Sequence, residues 1–254
     1  MDKRIALITG ATSGIGEATA KLLSKRNFKL ILCGRRKERL NKLATELESS
    51  TEVTTLSFDV RDQKEVSHSI STLSEKWKAI DVLINNAGNA HGFDPIQSGS
   101  LQDWDNMIDI NVKGLLYVSH EIIPIMTQRK TGHIINLGSI AGKEVYPNGN
   151  VYCASKFAVN ALTDGMRMDL NPFGIKVTSI NPGLVETEFA LVRFKGDSQK
   201  ASSVYNGIDP LKGEDIAEII RYVLESPAHV MLTDITVFPT AQGSSTLVNR
   251  NSKK

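Results

Sequence analysis

Apolar residues gather in short β-branched or Leu-rich runs at Ile5–Ile8, Leu30–Leu32, Val53–Phe58, Val82–Ile84, His133–Leu137, Lys176–Ile180 and Ile235–Phe238. Runs this short, with few polar interruptions, predict strands buried on both faces. Between most of them the apolar spacing lengthens to three and four. This predicts helices over Ile15–Lys25, Lys37–Glu48, Gln63–Lys76, Asp103–Gln128, Val151–Leu170 and Gly213–Leu224. Alternating strands and helices of this kind predict an α/β fold, a doubly wound (Rossmann-like) parallel sheet of about seven strands with helices on both faces. Ligands in such sheets sit beyond the carboxyl ends of the strands, so the residues just after each strand are the candidates for chemistry.

One connection departs from the pattern. From about residue 186 to 211 no strand is evident and the helical period is weak, while Phe189, Leu191, Val192, Phe194 and Tyr205 interrupt polar residues. A long irregular insertion in a compact domain is usually functional, and substrate recognition by a lid is expected there.

Composition narrows the classes. The 254 residues hold no repeats or Pro/Ser linkers, which predicts one domain over residues 1–254. Thirty basic residues against 28 acidic ones are scattered rather than massed, so neither a nucleic-acid footprint nor a membrane patch is expected, and a small-molecule substrate is. Cys33 and Cys153 stand far apart with no ligand cluster around them, which argues against a disulfide scaffold and against a metal site. The charged start Met1-Asp2-Lys3-Arg4 precedes an apolar run that Thr9-Gly10 cuts at once, so no export signal is read and a cytoplasmic location is expected. The stretch Gly114–Met126 is interrupted by His120, Glu121 and Pro124 and is too short to span a bilayer.

After the first strand comes Thr9-Gly10-Ala11-Thr12-Ser13-Gly14-Ile15-Gly16, leading into a helix. Glycines let the chain turn sharply against a pyrophosphate, and the free N–H groups of a helix start favour the anion. A purely structural turn is the alternative. At the end of the second strand, where an NAD site would hold a carboxylate, stand Arg35 and Arg36. Guanidinium groups match a 2′-phosphate, so the cofactor expected is NADP, with Ser13 adding a hydroxyl. The same arginines could simply cover a solvated helix face. Asp59-Val60, after the third strand, can meet an adenine, or Asp59 can cap the next helix.

Tyr152 and Lys156 lie four apart on a helical stretch and so share a face. A phenol normally ionises near pH ~10, and a neighbouring ammonium favours the phenolate; a surface pair is the alternative. Ser139 ends the fifth strand, where its hydroxyl can bond a substrate oxygen as charge grows on it. Asn111 sits in mid-helix, an unfavourable place that implies a local bend or a water site. Capping or packing is the bland reading of either residue.

Taken together, TGxxxGIG at 9–16, NNAG at 85–88, Asn111, Ser139, YxxxK at 152–156 and Asn181-Pro182-Gly183 resemble the short-chain dehydrogenase/reductase family from Lys3 to about Gly243. The resemblance implies that Tyr152 exchanges the substrate proton, that Lys156 lowers its pKa and holds ribose, that Ser139 orients the substrate oxygen and that Asn111 holds a relay water. It also implies that Asn86, Ala87 and Gly88 line the cofactor cleft, with Pro182, Gly183, Val185 and Thr187 at the nicotinamide end. Gly34–Leu40, Gly149–Tyr152 and Val192–Asp197 further resemble the NADP-dependent 3-hydroxy acid dehydrogenases, which act on serine, allo-threonine and short 3-hydroxy acids or reduce malonic semialdehyde. The implied assembly is a homotetramer. A cation in the lid suits a small carboxylate, so Arg193 is the candidate clamp, with a structural ion pair as the alternative. Ser198–Asn206 and the polar tail Asn249–Lys254 follow the resemblance least. The rival functions are a reductase of another carbonyl compound, such as a 3-oxoacyl thioester, and a non-catalytic NADP-binding sensor, which would have no need for Ser139, Tyr152 and Lys156 together.

Overall fold

The computed structural model describes residues 3–251; Met1 and Asp2 of the charged start, and residues 252–254 of the polar tail, lie outside the described residues. Strands β1 (Arg4–Thr9), β2 (Phe28–Gly34), β3 (Val53–Ser57), β4 (Ile80–Asn85), β5 (Gly132–Leu137) and β6 (Ile175–Pro182) alternate with helices α1 (Gly14–Ser24), α2 (Lys37–Leu47), α3 (Gln63–Ser71), α4 (Glu75–Lys78), α5 (Leu101–Ile108), α6 (Leu115–Arg129) and α7 (Asn150–Leu170). Next come β7 (Val185–Glu186), α8 (Phe189–Arg193), α9 (Ser198–Ser203), β8 (Leu211–Lys212), α10 (Gly213–Glu225) and β9 (Asp234–Val237). Seven strands form one sheet in the order β3-β2-β1-β4-β5-β6-β9, and every pair is parallel. The order reverses between β1 and β4, which opens a crevice at their carboxyl ends.

Two apolar cores explain the continuous strand patterns. On one face Leu7, Ile31, Leu83, Ile134 and Val177 pack with helix residues such as Val66, Ile122 and Met126. On the other, Ile8, Leu32, Val82, Ile84 and Ile180 meet Leu23, Leu40, Ile216 and Ile220. Successive strand residues point to opposite faces; because helices cover both, nearly every position must be apolar.

Three helical expectations need correction. The single helix over Gln63–Lys76 is two, α3 and α4. At the break, the hydroxyls of Ser71 and Thr72 bond back to the carbonyls of His68 and Ser69 at 2.7 Å, in competition with the helical ladder. The long helix over Asp103–Gln128 is interrupted by a π turn at Asp109–Gly114, where Asn111 had signalled a bend. The segment from 186 to 211 is less irregular than expected. It holds α8 and α9, each too short to show a period, and its ends are joined by parallel pairing of β7 with β8.

Candidate active site

The loops after the strands border one cleft of roughly 680 Å³. After β1 the chain turns so tightly that side chains are excluded. Gly14 has φ +53°, and a Cβ there would stand 3.0 Å from the Thr187 side chain. A Cβ at Gly16 would lie 2.4 Å from the Gly10 carbonyl oxygen, so Gly16 seats α1 from behind while Gly10, Thr12, Ser13, Gly14 and Ile15 face the cleft. The side chain of Ser13 does not cap α1. The loop after β4 is tied to this turn, since Asn86 Nδ2 donates to the carbonyls of Thr9 and Gly10 at 2.9 and 3.1 Å and the Ala87 N–H donates to Thr9 Oγ1 at 3.0 Å.

At the end of β2 the two arginines differ. Arg36 folds back on the glycine turn, with Nε 3.0 Å from Thr12 Oγ1 and Nη2 2.8 Å from Ser13 Oγ. Arg35 is more exposed and meets Asp59 at 3.4 Å. Asp59 is not a helix cap, because Asp62 caps α3 by accepting from Lys64 and Glu65. Burial pushes the Asp59 carboxyl up, but hydrogen bonds from Arg61 and the charges of Arg35 and Arg61 hold it below its ordinary value. Asp59 and Val60 both line the cleft.

The catalytic candidates converge at the far end. Tyr152, in the first turn of α7, is buried with its ring edge-on to Phe189 at 5.5 Å. Lys156 is one turn further along, buried, and its Nζ donates to the Leu137 carbonyl at 2.8 Å. Ser139 caps the turn after β5 by accepting from the Ala141 N–H at 3.1 Å, and its own N–H donates to Asn181 Oδ1 at 3.2 Å. The Asn181-Pro182-Gly183 motif therefore fixes Ser139 as well as walling the cleft. Asn111 does not reach Tyr152 or Lys156 with its side chain. Its Nδ2 donates to the Asn89 carbonyl and Ser155 Oγ at 2.8 and 2.9 Å, and its Oδ1 accepts from the Asn89 N–H at 2.9 Å. Gly88 packs against it: a Cβ there would stand 3.1 Å from Asn111 Oδ1 and 3.5 Å from Lys156 Nζ.

Burial governs the electrostatics here. It pushes the Tyr152 phenol well up, aided by Tyr146, while a hydrogen bond with Ser139 and the charge of Arg193 pull it down. Burial lowers Lys156 to about 8. Arg193 is thus a cation that bears on the phenol, while the Lys156 ammonium donates to the Leu137 carbonyl.

Pro182, Gly183, Val185, Thr187 and Arg193, the last residue of α8, line the same cleft as Tyr152. The Arg193 guanidinium lies 4.7, 5.5 and 5.6 Å from the ring centroids of Phe93, Tyr146 and Tyr152. Its Nη1 donates to Tyr146 Oη at 2.9 Å and its Nε to the Gly92 carbonyl at 3.3 Å. In the same 186–211 segment, Lys195 Nζ stands 2.8 Å from the buried Asp103 carboxylate.

Sequence reasoning missed several lining residues. Phe93 and Tyr146 follow no strand directly, and the tail residues Gln242, Ser245, Thr246, Val248 and Arg250 lie beyond the last strand. A motif search around strand ends cannot find them. Among the described residues no cluster of metal-ligating side chains occurs, both cysteines are free and buried, and no helix is long and apolar enough to cross a membrane.

The family model for short chain dehydrogenases matches residues 4–197. Sulfoacetaldehyde reductase 2 of Chromohalobacter salexigens is 45% identical over 242 residues, 95% of this chain and 96% of the relative. The NADP-dependent 3-hydroxy acid dehydrogenase of Salmonella typhi is 44% identical over 239 residues, 94% of this chain and 96% of the relative. The closed form of serine dehydrogenase complexed with NADP+ superposes with a TM-score of 0.91 at 41% identity, covering 96% of this chain and 98% of that one.

Proposed function

The chain belongs to the short chain dehydrogenase family, and on that premise we propose that it moves hydride between NADP(H) and the 3-hydroxyl carbon of a short 3-hydroxy acid such as serine, allo-threonine or 3-hydroxypropionate. The observation that carries the substrate class is the Arg193 guanidinium, fixed by Tyr146 and Gly92 at 5.6 Å from the Tyr152 ring. A short acid has few atoms with which to gain affinity, and a charge-assisted bond is its main handle. Arg193 spends two of its five N–H groups in those bonds, which leaves part of its fork for a carboxylate. The relatives' names agree in kind, since a hydroxy acid and sulfoacetaldehyde are both short anions.

The residues present suit the cofactor. Gly10, Gly14 and Gly16, which have no space for a Cβ, let the backbone of the turn come close to a pyrophosphate, and Arg36 with Ser13 forms a basic, hydroxyl-lined seat for a 2′-phosphate. Arg35, Asp59 and Val60 would flank the adenosine, and Asn86, Ala87, Gly88, Pro182, Gly183, Val185 and Thr187 would hold the remainder. NADP(H) supplies or accepts the hydride when bound. Tyr152 takes the proton from the substrate hydroxyl during oxidation and returns it during reduction. Ser139 holds the same oxygen, and Arg193 favours the phenolate. Lys156 keeps its proton in a buried place from which it can reach a ribose. Asn111, with its side chain committed to Asn89 and Ser155, would hold a relay water through the main chain that the π turn displaces from the regular ladder.

The 186–211 segment is the lid of this single-domain enzyme. A homotetramer in the cytoplasm is the proposed state, with Leu116, Phe157 and Met168 leaving apolar surface on α6 and α7 for subunit contact. One assay tests the substrate reading. Purified protein with NADP should turn over serine, allo-threonine, 3-hydroxypropionate and 3-hydroxyisobutyrate well and a cyclic secondary alcohol poorly. The reverse order would assign it to another carbonyl substrate, and no turnover of any of them would favour a sensor.

A further inference from the structure

Glu188 stands at the root of the lid, one residue past Thr187, yet its carboxylate is spread over two arginines on the opposite bank of the cleft. Oε2 accepts from Arg36 Nη1 at 2.7 Å and Oε1 from Arg39 Nη1 at 2.6 Å. The other bonds of Arg36 go to neutral oxygens: the Thr12 hydroxyl at 3.0 and 2.9 Å, the Thr12 carbonyl at 3.2 Å and the Ser13 hydroxyl at 2.8 Å. The glycine turn therefore holds the guanidinium in place, and Glu188 is its charged partner among the described residues. Arg36 and Ser13 are the seat assigned above to the 2′-phosphate. An incoming phosphate would find a carboxylate already on that guanidinium, and two anions within a few ångströms of one another repel. One must yield.

We propose that Glu188 is a specificity-determining residue for the cofactor, an internal anion that occupies Arg36 and Arg39 and competes with the 2′-phosphate for them. The inference rests on the reading of Arg36 as part of the phosphate seat. When a 2′-phosphate takes Arg36, the Glu188 carboxylate keeps at most Arg39, and the lid root loses a tie to the cofactor bank. A dinucleotide with a 2′-hydroxyl brings no charge to that point and cannot displace Glu188. The carboxylate thus lowers the affinity for NADP and leaves that for NAD alone, and it links the position of the lid root to the adenosine end of the cleft.

The test is a set of fluorescence titrations of purified wild-type, Glu188→Gln, Arg36→Gln and doubly substituted proteins with NADPH and with NADH. Gln keeps the size and removes the charge. Relative to wild type, Glu188→Gln should lower the Kd for NADPH about three- to tenfold, with the Kd for NADH within twofold, and the gain should shrink when Arg36 is also Gln. A higher Kd for both dinucleotides in Glu188→Gln would make Glu188 a strap that retains the cofactor and would overturn the proposal. An equal fall for both would place its repulsion on the shared pyrophosphate, which also overturns it. If Arg36→Gln alone leaves the preference for NADPH intact, the phosphate seat itself has been misread. If that variant erodes the preference while Glu188→Gln changes nothing, the seat stands and only the competition fails.

Discussion

The floor of the cleft and its roof are built in different ways. The floor consists of the first residues beyond parallel strands: the glycine turn after β1, Arg35 and Arg36 at the end of β2, Asn86–Gly88 after β4, Ser139 after β5 and Pro182-Gly183 at the end of β6. Each takes its position from strand register and from cores packed on both faces, so the floor moves only if the sheet does. The roof, made of α8, α9 and the tail, meets the rest through the packing of Phe189, a backbone bond from the Gly92 N–H to the Arg193 carbonyl at 3.0 Å and several side-chain ties. Arg193 is bound to Tyr146, Lys195 to Asp103 and Glu188 to Arg36 and Arg39, while within the roof Arg250 ties the tail to the carbonyls of Val204 and Asn206 at 3.1 and 2.9 Å. A floor of this kind suits chemistry that tolerates no displacement, and a roof of exchangeable ties suits recognition.

That contrast predicts unequal costs. The largest effect should come from Tyr152 on α7, which packs against β6 and the turn after β5. Tyr152→Phe keeps the ring against Phe189 and removes the proton carrier, so kcat should fall by about 10³-fold or more while the Kd for NADPH stays within twofold. Near-normal turnover would move the proton chemistry elsewhere. Oxidation should also speed up with pH. Burial holds the Tyr152 phenol above its ordinary value. Oxidation requires that phenol deprotonated, so its rate should rise with pH by up to about tenfold per unit below the phenol's pKa, and the reduction rate should fall over the same range.

The next effect belongs to the roof and is selective. Arg193→Met should lower kcat/KM for serine or 3-hydroxypropionate by on the order of 10- to 100-fold more than for an uncharged secondary alcohol, the ratio that a charge-assisted hydrogen bond implies. Because Arg193 also acts on the phenol of Tyr152, the alcohol should slow slightly as well. Equal losses for both substrates would reduce Arg193 to a brace for Tyr152 and Tyr146.

At the cofactor bank, Arg36→Gln should weaken NADPH about tenfold and Arg35→Gln less, measured by fluorescence titration. Arg36 is fixed by Thr12 and Ser13, whereas Arg35 has only its long contact with Asp59. The reverse order would mean that Arg35 swings in to take the phosphate. The smallest expected effect is that of Arg250→Met, a two- to fivefold rise in KM for the acid with kcat unchanged, because exposed ties contribute little individually. A collapse of kcat in that variant would show that the roof is as rigid as the floor.

What could be read in advance follows the same division. The strands were legible because burial on both faces leaves an unbroken apolar run, and the convergence of Ser139, Tyr152 and Lys156 on one cleft because they stand at motif spacings on or beside regular elements. The bend at Asn111 was legible too, since an amide in mid-helix competes with the ladder, although its commitment to Asn89 and Ser155 was not. The break between α3 and α4 was missed because hydroxyl back-bonding carries no periodic signature. The short helices of the 186–211 segment were missed because one turn has no period.

By itself, the sequence determined the order of elements, the glycine turn, the paired arginines and the placing of Tyr152 and Lys156 one turn apart on α7. These depend on backbone conformation and on residues at most a few positions apart. Only the tertiary structure decided that Arg193 bears on Tyr152, that Asp59 pairs with Arg61 and Arg35 instead of capping a helix, that Glu188 sits on Arg36 and Arg39, and that Phe93, Tyr146 and Arg250 border the cleft. The partners in most of these contacts are tens of residues or more apart. They meet because the sheet brings its carboxyl ends together and the chain returns over them, and no local pattern along the sequence records that return.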